Sequence, residues 1–152
     1  MDVHTELGNL LPRILVATAL GGIIGMERER SGSYAGIRTF AAVSLGASML
    51  TAINLHLGLA DPTRMVANII SGIGFLGAGI IFRDSTKGNI AGLNTAATLW
   101  ATASVGIAAG FGMYVISIAC TIILYLLLLS RKVPFIKKLG DSAKKDKESK
   151  TD

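Results

Sequence analysis

Charged residues are missing from three long stretches of this chain, 39–60, 65–82 and 88–130. A helix needs about 20 mostly apolar residues to cross a bilayer, because roughly 30 Å of hydrocarbon is traversed at about 1.5 Å per residue. The first two stretches are each one span. The third holds 43 residues, enough for two spans and a turn, and Gly110, Phe111 and Gly112 lie near its midpoint. Residues 7–26 make a fifth span, interrupted by Pro12 and Arg13. Proline is tolerated in a first helical turn, where its missing N–H has no intrahelical partner to lose. The pattern predicts an all-α polytopic membrane protein, a bundle of five transmembrane helices at about 7–26, 39–60, 64–82, 93–109 and 112–130. These form one domain, 1–130, followed by a basic tail, 131–152, whose polar end reads as disordered.

Composition agrees with this class. Of the 152 residues 51% are hydrophobic and 16% charged, against about 25% charged in soluble domains. Mean hydropathy is +0.55. The net charge of +5 therefore does not point to nucleic acid; twelve of the charges crowd into the last 22 residues. Residues 1–6 carry Asp2 and Glu6 but no Lys or Arg, so the first span is expected to be retained rather than cleaved as a leader.

The same charges predict orientation. Five spans put the 27–38 loop, the 83–92 loop and the tail on one side, with thirteen Lys and Arg residues; the other side has two, Arg13 and Arg64. The positive-inside rule then places the N-terminus outside and the tail in the cytoplasm of a cell inner (plasma) membrane. The tail reads either as a solvated end that enforces topology or as a binder of anionic lipid, at about 1 kcal/mol per basic residue near the surface.

Inside the spans, small residues stand out: Gly21 and Gly25, Gly106 and Gly110, and Gly72, Gly74, Gly77 and Gly79 within SGIGFLGAG. Lipid supplies no hydrophobic force between helices, so close backbone approach must hold them together, and small residues allow it. Packing is the plain reading of these glycines; a broken helix lining an ion site is the alternative. The Gly72-x-Gly74-x-x-Gly77 pattern matches a dinucleotide fingerprint, but mid-membrane it lacks the preceding strand that motif requires. The polar residues Asn68, Asn94, Thr95, Thr98 and Thr102 lie in the third and fourth spans, and Thr95, Thr98 and Thr102 share a helix face. Threonine can bond back to its own helix, whereas asparagine needs a partner. Asn94 reads as an N-cap, an interhelical contact, or an ion or ligand group.

The most chemistry lies on the predicted cytoplasmic side, where Glu27, Arg28, Glu29 and Arg30 follow the first span, Arg38 opens the second, and Arg83 and Asp84 close the third. Glycines before Glu27 would let its helix end pack closely and bury the carboxylate, which would then require Arg38 or Arg83 as counter-charge. Cys120 is the lone cysteine and excludes an internal disulfide or cysteine metal cluster. His4 and His56 have no nucleophile beside them, so an enzyme is not expected.

Four motifs in order, GGIIGMERER (21–30), AGIRTF (35–40), ISGIGFLGAGIIFRD (70–84) and GLNTAATLWATASVGIAAGFG (92–112), resemble the MgtC/SapB family of bacterial and archaeal inner-membrane proteins. The resemblance covers about residues 10–130. It implies a five-span helical domain, a link to magnesium homeostasis and growth at low Mg²⁺, and action on membrane partners, among them the F-type ATP synthase and P-type transport ATPases. Many relatives bear the name of magnesium transporter. By matched position it draws attention to Glu27 and Arg28, Gly36 and Arg38, the glycines from Gly72 to Gly79, Arg83 and Asp84, and Asn94, Thr95, Thr98 and Trp100. Two departures stand out. Ala101 follows Trp100 where some relatives have cysteine, and the tail is too short for the C-terminal regulatory domain of longer relatives.

The expected function is a non-enzymatic regulator of membrane partners. The alternative is a small oligomeric transporter of Mg²⁺ or another ion or solute, with Glu27, Glu29 and Asp84 at its mouth. No cofactor is expected; Mg²⁺ would be a ligand or a signal, and whether a metal binds directly stays open. Expected partners are the lipid bilayer, other membrane proteins and, as a further alternative, other copies of the chain, with no nucleic acid.

Overall fold

A computed structural model describes residues 6–58, 61–83 and 90–130. One π-helical turn, Glu6–Leu10, leads into α1, Leu11–Arg30. The other helices are α2, Ile37–His56, α3, Pro62–Ile80, α4, Leu93–Gly110, and α5, Tyr114–Ser130. A two-residue antiparallel ladder joins β1, Phe82–Arg83, to β2, Ile90–Ala91, between α3 and α4. The predicted all-α membrane bundle is therefore the observed one, and each helix lies within a few residues of its predicted span. The first differs most: α1 runs on to Arg30, so Glu27 to Arg30 form its last turn and not a loop.

Three segments are long and apolar enough to cross a membrane: Gly8–Arg30, Ile37–His56 and Pro62–Ile80. α5 is apolar but has 17 residues. α4, with 18, is the most enclosed helix and touches all four others. Threonine, alanine and glycine replace bulky side chains along it, which is what a helix surrounded by other helices requires.

Glycine contacts define how the helices run. A Cβ on Gly21 would lie 2.6 Å from the Phe40 carbonyl oxygen, and one on Gly25 would lie 2.7 Å from Ile37 Cα, so α1 and α2 are antiparallel. A Cβ on Gly106 would strike the Ser44 carbonyl oxygen, and one on Gly110 would lie 2.7 Å from that of Ser48, so α2 and α4 are parallel. Gly77 meets Ala96, and Gly92 abuts the Ile80 carbonyl, which sets α3 antiparallel to α4. Gly92 also has a φ of 86° and starts α4, while Gly112, at 78°, makes the predicted turn into α5. The helices thus alternate in direction. Arg28, Arg30 and Arg38 fall at one end of the bundle and Arg13 and Arg64 at the other, as the charge pattern required.

The third-span glycines divide. Gly77 packs on α4, whereas Gly72, Gly74 and Gly79 meet nothing within 4 Å among the described residues. α3 leans on α4 and leaves much of its surface uncovered. Two apolar clusters fill the interior, one around Ile24, Phe40 and Leu99, the other around Ala47, Ile69, Ala103 and Ile107. Arg13, which interrupts the first span in sequence, donates from Nη1 to the Gly110 carbonyl oxygen at 2.9 Å. Its charge therefore lies at the negative end of α4, where a cation is stabilising.

These contacts separate two kinds of glycine by experiment. Gly106→Ala is expected to destabilise the bundle by about 1–3 kcal/mol, because α2 backbone must move away. Gly74→Ala has open space and is expected to stabilise by up to about 1 kcal/mol through helix propensity; reversible unfolding in detergent checks both.

Outside the spans, Asp61 caps α3 by accepting the Thr63 and Arg64 N–H groups, each at 3.1 Å, and the Thr63 hydroxyl. The hydroxyl, first, and the Arg64 N–H hold the Asp61 carboxyl below its usual 3.8. A lowered folded-state pKa contributes stability that is complete above the unfolded value and disappears as pH falls through the folded one. Exchange protection of the Thr63 and Arg64 amides is therefore expected to hold at neutral pH and to drop below about pH 4, and Asp61→Asn is expected to remove that pH dependence.

Candidate functional site

The close approach of α1 to the start of α2 carries the end of α1 into the bundle. Gly25 lies against Gly36 and Ile37, so the next turn cannot stand away from its neighbours. Glu27 and Arg28 are 2% and 4% exposed as a result. Charged side chains buried to this degree are rare unless their surroundings are polar. Arg28 Nη2 donates to Ser33 Oγ at 3.0 Å and reaches Thr95 Oγ1 at 3.5 Å. The two hydroxyls are 3.0 Å apart and hydrogen-bonded. Three segments, the end of α1, the 31–36 loop and the start of α4, thus converge on one guanidinium.

Glu29 and Arg30 lie on the outward side of the same turn and are exposed. Glu29 Oε2 accepts the Ile37 N–H at 2.9 Å and supplies the cap that the α2 start otherwise lacks. Gly36 matters here: a Cβ would strike Glu29 Oε2. Arg38, expected as a counter-charge to Glu27, is exposed on the first turn of α2. The basic side chain buried at the same helix end as Glu27 is Arg28. The Arg83 side chain, Asp84, Lys87 and residues 131–152 lie outside the described residues, and so does His4.

Of the fourth-span residues, Thr95 joins the site while Thr98 and Thr102 serve the helix itself, bonding back to the Asn94 and Thr98 carbonyls at 2.7 and 2.8 Å. Asn94 is not the N-cap; Gly92 is, with its left-handed backbone. Asn94 is exposed and lines a groove of about 420 Å³ between α4 and α5 with Thr98, Leu124 and Leu128. Asn68 lies far from this cluster. It is in the opposite half of α3, on an apolar groove of about 530 Å³ between α2 and α3. Trp100 is half exposed on the bundle surface.

Sequence reasoning missed Ser33, whose only signal is a hydroxyl in the short loop beside Arg28. It also missed the buried stripe of Ser44, Ser48 and Thr51 on α2, although their spacing of four and three was readable. Ser48 Oγ donates to the Arg13 carbonyl at 3.2 Å and Thr51 to that of Ala47 at 2.8 Å. Ser44 Oγ and Asn54 Oδ1 are buried without hydrogen-bond partners among the described residues.

Chemically, the cluster presents a guanidinium bonded by hydroxyls, with the Glu27 carboxylate buried at the same helix end. It lacks the donor set of a metal cage: among the described residues no three His, Cys, Asp or Glu side chains come together. An octahedral Mg²⁺ site usually combines one or two carboxylates with retained water. Glu27 and Asp84, the carboxylates flanking this end in sequence, could meet that need only together with the undescribed loop.

The model of the MgtC family matches residues 14–134. Protein MgtC of Salmonella typhimurium (strain LT2) is 41% identical over 136 residues, which is 88% of this chain and 58% of that protein. Protein MgtC of Brucella abortus (strain 2308) is 50% identical over 98 residues, 64% of this chain and 40% of that protein. The matched region thus spans 58% of the one curated relative and 40% of the other. No solved structure matches it.

Thr95→Val is expected to cost about 0.5–1.5 kcal/mol, the net value of a hydrogen bond. In a double-mutant cycle with Ser33→Ala the two effects are expected to couple rather than add. Arg28→Leu removes the guanidinium that both hydroxyls bind and leaves them only each other, and is expected to destabilise by about 1.5–3 kcal/mol, the value of hydrogen bonds to a charged group; detergent unfolding reads all of these.

Proposed function

This chain belongs to the MgtC family, and from that premise we propose that it is a non-enzymatic regulator of other membrane proteins serving magnesium homeostasis at low Mg²⁺. It sits in the inner (plasma) membrane with its N-terminus outside and its basic tail in the cytoplasm. Mg²⁺ is a signal or passing ligand for it and not a resident cofactor. Its partners are P-type transport ATPases or the F-type ATP synthase, the class that the family resemblance implies.

One observation carries this reading. The seam of α1, α2 and α4 is closed by backbone contact at Gly21, Gly25, Gly106 and Gly110, where even a methyl group would collide. A hydrated Mg²⁺, which gives up its water reluctantly, has no room there. The surfaces left for function are the helix faces and the open grooves along them, which suit a partner helix.

The second reading is a small oligomeric transporter of Mg²⁺ or another ion or solute, its path lying between chains. The exposed Asn68 and Asn94 amides on open grooves favour it, since hard cations take oxygen ligands, amide carbonyls among them.

Two assays separate the readings. In proteoliposomes the purified chain is expected to carry no Mg²⁺, Na⁺ or H⁺ flux, while affinity capture from membranes of cells grown at low magnesium is expected to retain a membrane ATPase. Cation uptake that falls with Glu27→Gln or Asn94→Ala would overturn the regulator reading and establish the transporter.

A further inference from the structure

The rest of the chain covers α3 less than either of the other long spans. At about 100° per residue, Asn68, Gly72, Phe75 and Gly79 fall within an arc of about 60° on this helix. All four are exposed, Phe75 at 81%. Two features of the stripe serve no contact among the described residues. Gly72 and Gly79 touch nothing there within 4 Å, although glycine weakens a helix relative to alanine. The Asn68 amide has no hydrogen-bond partner among the described residues. It lies roughly 10 Å along α3, on the wall of the apolar groove beside α2. Water is scarce at that depth in a bilayer, and an amide left unsatisfied in hydrocarbon is costly.

We infer that this stripe is the interface of a parallel homodimer, in which the Asn68 amides of two copies hydrogen-bond to each other and Phe75 packs between Gly72 and Gly79 of the partner subunit. The choice of a second copy follows from sidedness and chemistry. The asymmetry of Lys and Arg inserts every copy the same way, so two α3 helices meet in parallel. A two-fold axis along the membrane normal then sets each residue opposite its own equivalent at the same depth. A side-chain amide both donates and accepts, so Asn68 is complementary to itself. A different protein would have to carry a matching polar group at that one level. The glycines let the two backbones approach closely enough for the amides to meet. The inference stands apart from the regulator and transporter readings, because self-association and flux are measured separately.

Disulfide trapping in native membranes tests it. In a Cys120→Ser background, Phe75→Cys is expected to give an oxidised dimer, while Val115→Cys, 83% exposed on α5, is expected to stay monomeric. Adding Asn68→Ala or Gly72→Ile is expected to reduce dimer formation, the first by about 3–20-fold, and Asn68→Gln is expected to restore part of it. Because these side chains face outward, the variants should keep wild-type thermal unfolding within the monomer. Monomers at Phe75→Cys, equal trapping at Val115→Cys, trapping indifferent to Asn68, or an adduct with a protein of another mass would each overturn the homodimer.

Discussion

Backbone-to-backbone contact at four glycines is the interaction on which the other features rest. Lipid tails are as apolar as leucine, so the bundle gains nothing from withdrawing its apolar side chains from water. It must gain from dispersion at close range and from polar groups finding one another. Gly21 and Gly25 on α1, with Gly106 and Gly110 on α4, press both helices directly onto α2. That approach places Ser48 against the Arg13 carbonyl and sinks the last turn of α1 between its neighbours. With a methyl group at any of the four the helices would separate, and the polar contacts depending on their spacing would lengthen.

The two arginines at the ends of α1 show what this spacing demands. Arg13 reaches the C-terminal end of α4, where the helix dipole welcomes a cation. Arg28 reaches the N-terminal end of the same helix, where the dipole opposes one. It is held there by the Ser33 and Thr95 hydroxyls, with the Glu27 carboxylate buried in the same turn and the C-terminal end of α1 itself as favourable surroundings. Antiparallel helices always place one such arginine well and the other badly. The badly placed one needs a polar site built around it, and the Ser33 and Thr95 hydroxyls supply it.

The fold was legible because charge placement in a bilayer is severe: 39–60, 65–82 and 88–130 permit little but helices, and the alternating ends follow from the arginines. The site was half legible. Glycines ahead of Glu27 pointed to a buried carboxylate, and Thr95 was on the face that proved buried. Sequence could not tell that Arg28 rather than Arg38 turns inward, because that depends on the angle at which α1 meets α2. Nor could it separate the glycines. Those of α1 and α4 and those of SGIGFLGAG look equally like packing residues, yet among the described residues only Gly77 of the latter has a neighbour to pack on. Spacing along one helix records which residues share a face and leaves unsaid what lies opposite that face.

A closed centre also constrains where any activity can reside. Two exposed asparagines lie on grooves, Asn68 between α2 and α3 and Asn94 between α4 and α5. They belong to opposite ends of the bundle, because α3 and α4 run in opposite directions and each asparagine is near the start of its helix. A route through one chain joining them would have to cross α4, the helix most completely enclosed by its neighbours. Each groove instead sets one amide in an apolar wall on its own outer surface. With the seam closed at the four glycines, the exposed amides of the described residues lie on the outer faces of the bundle and not along its middle.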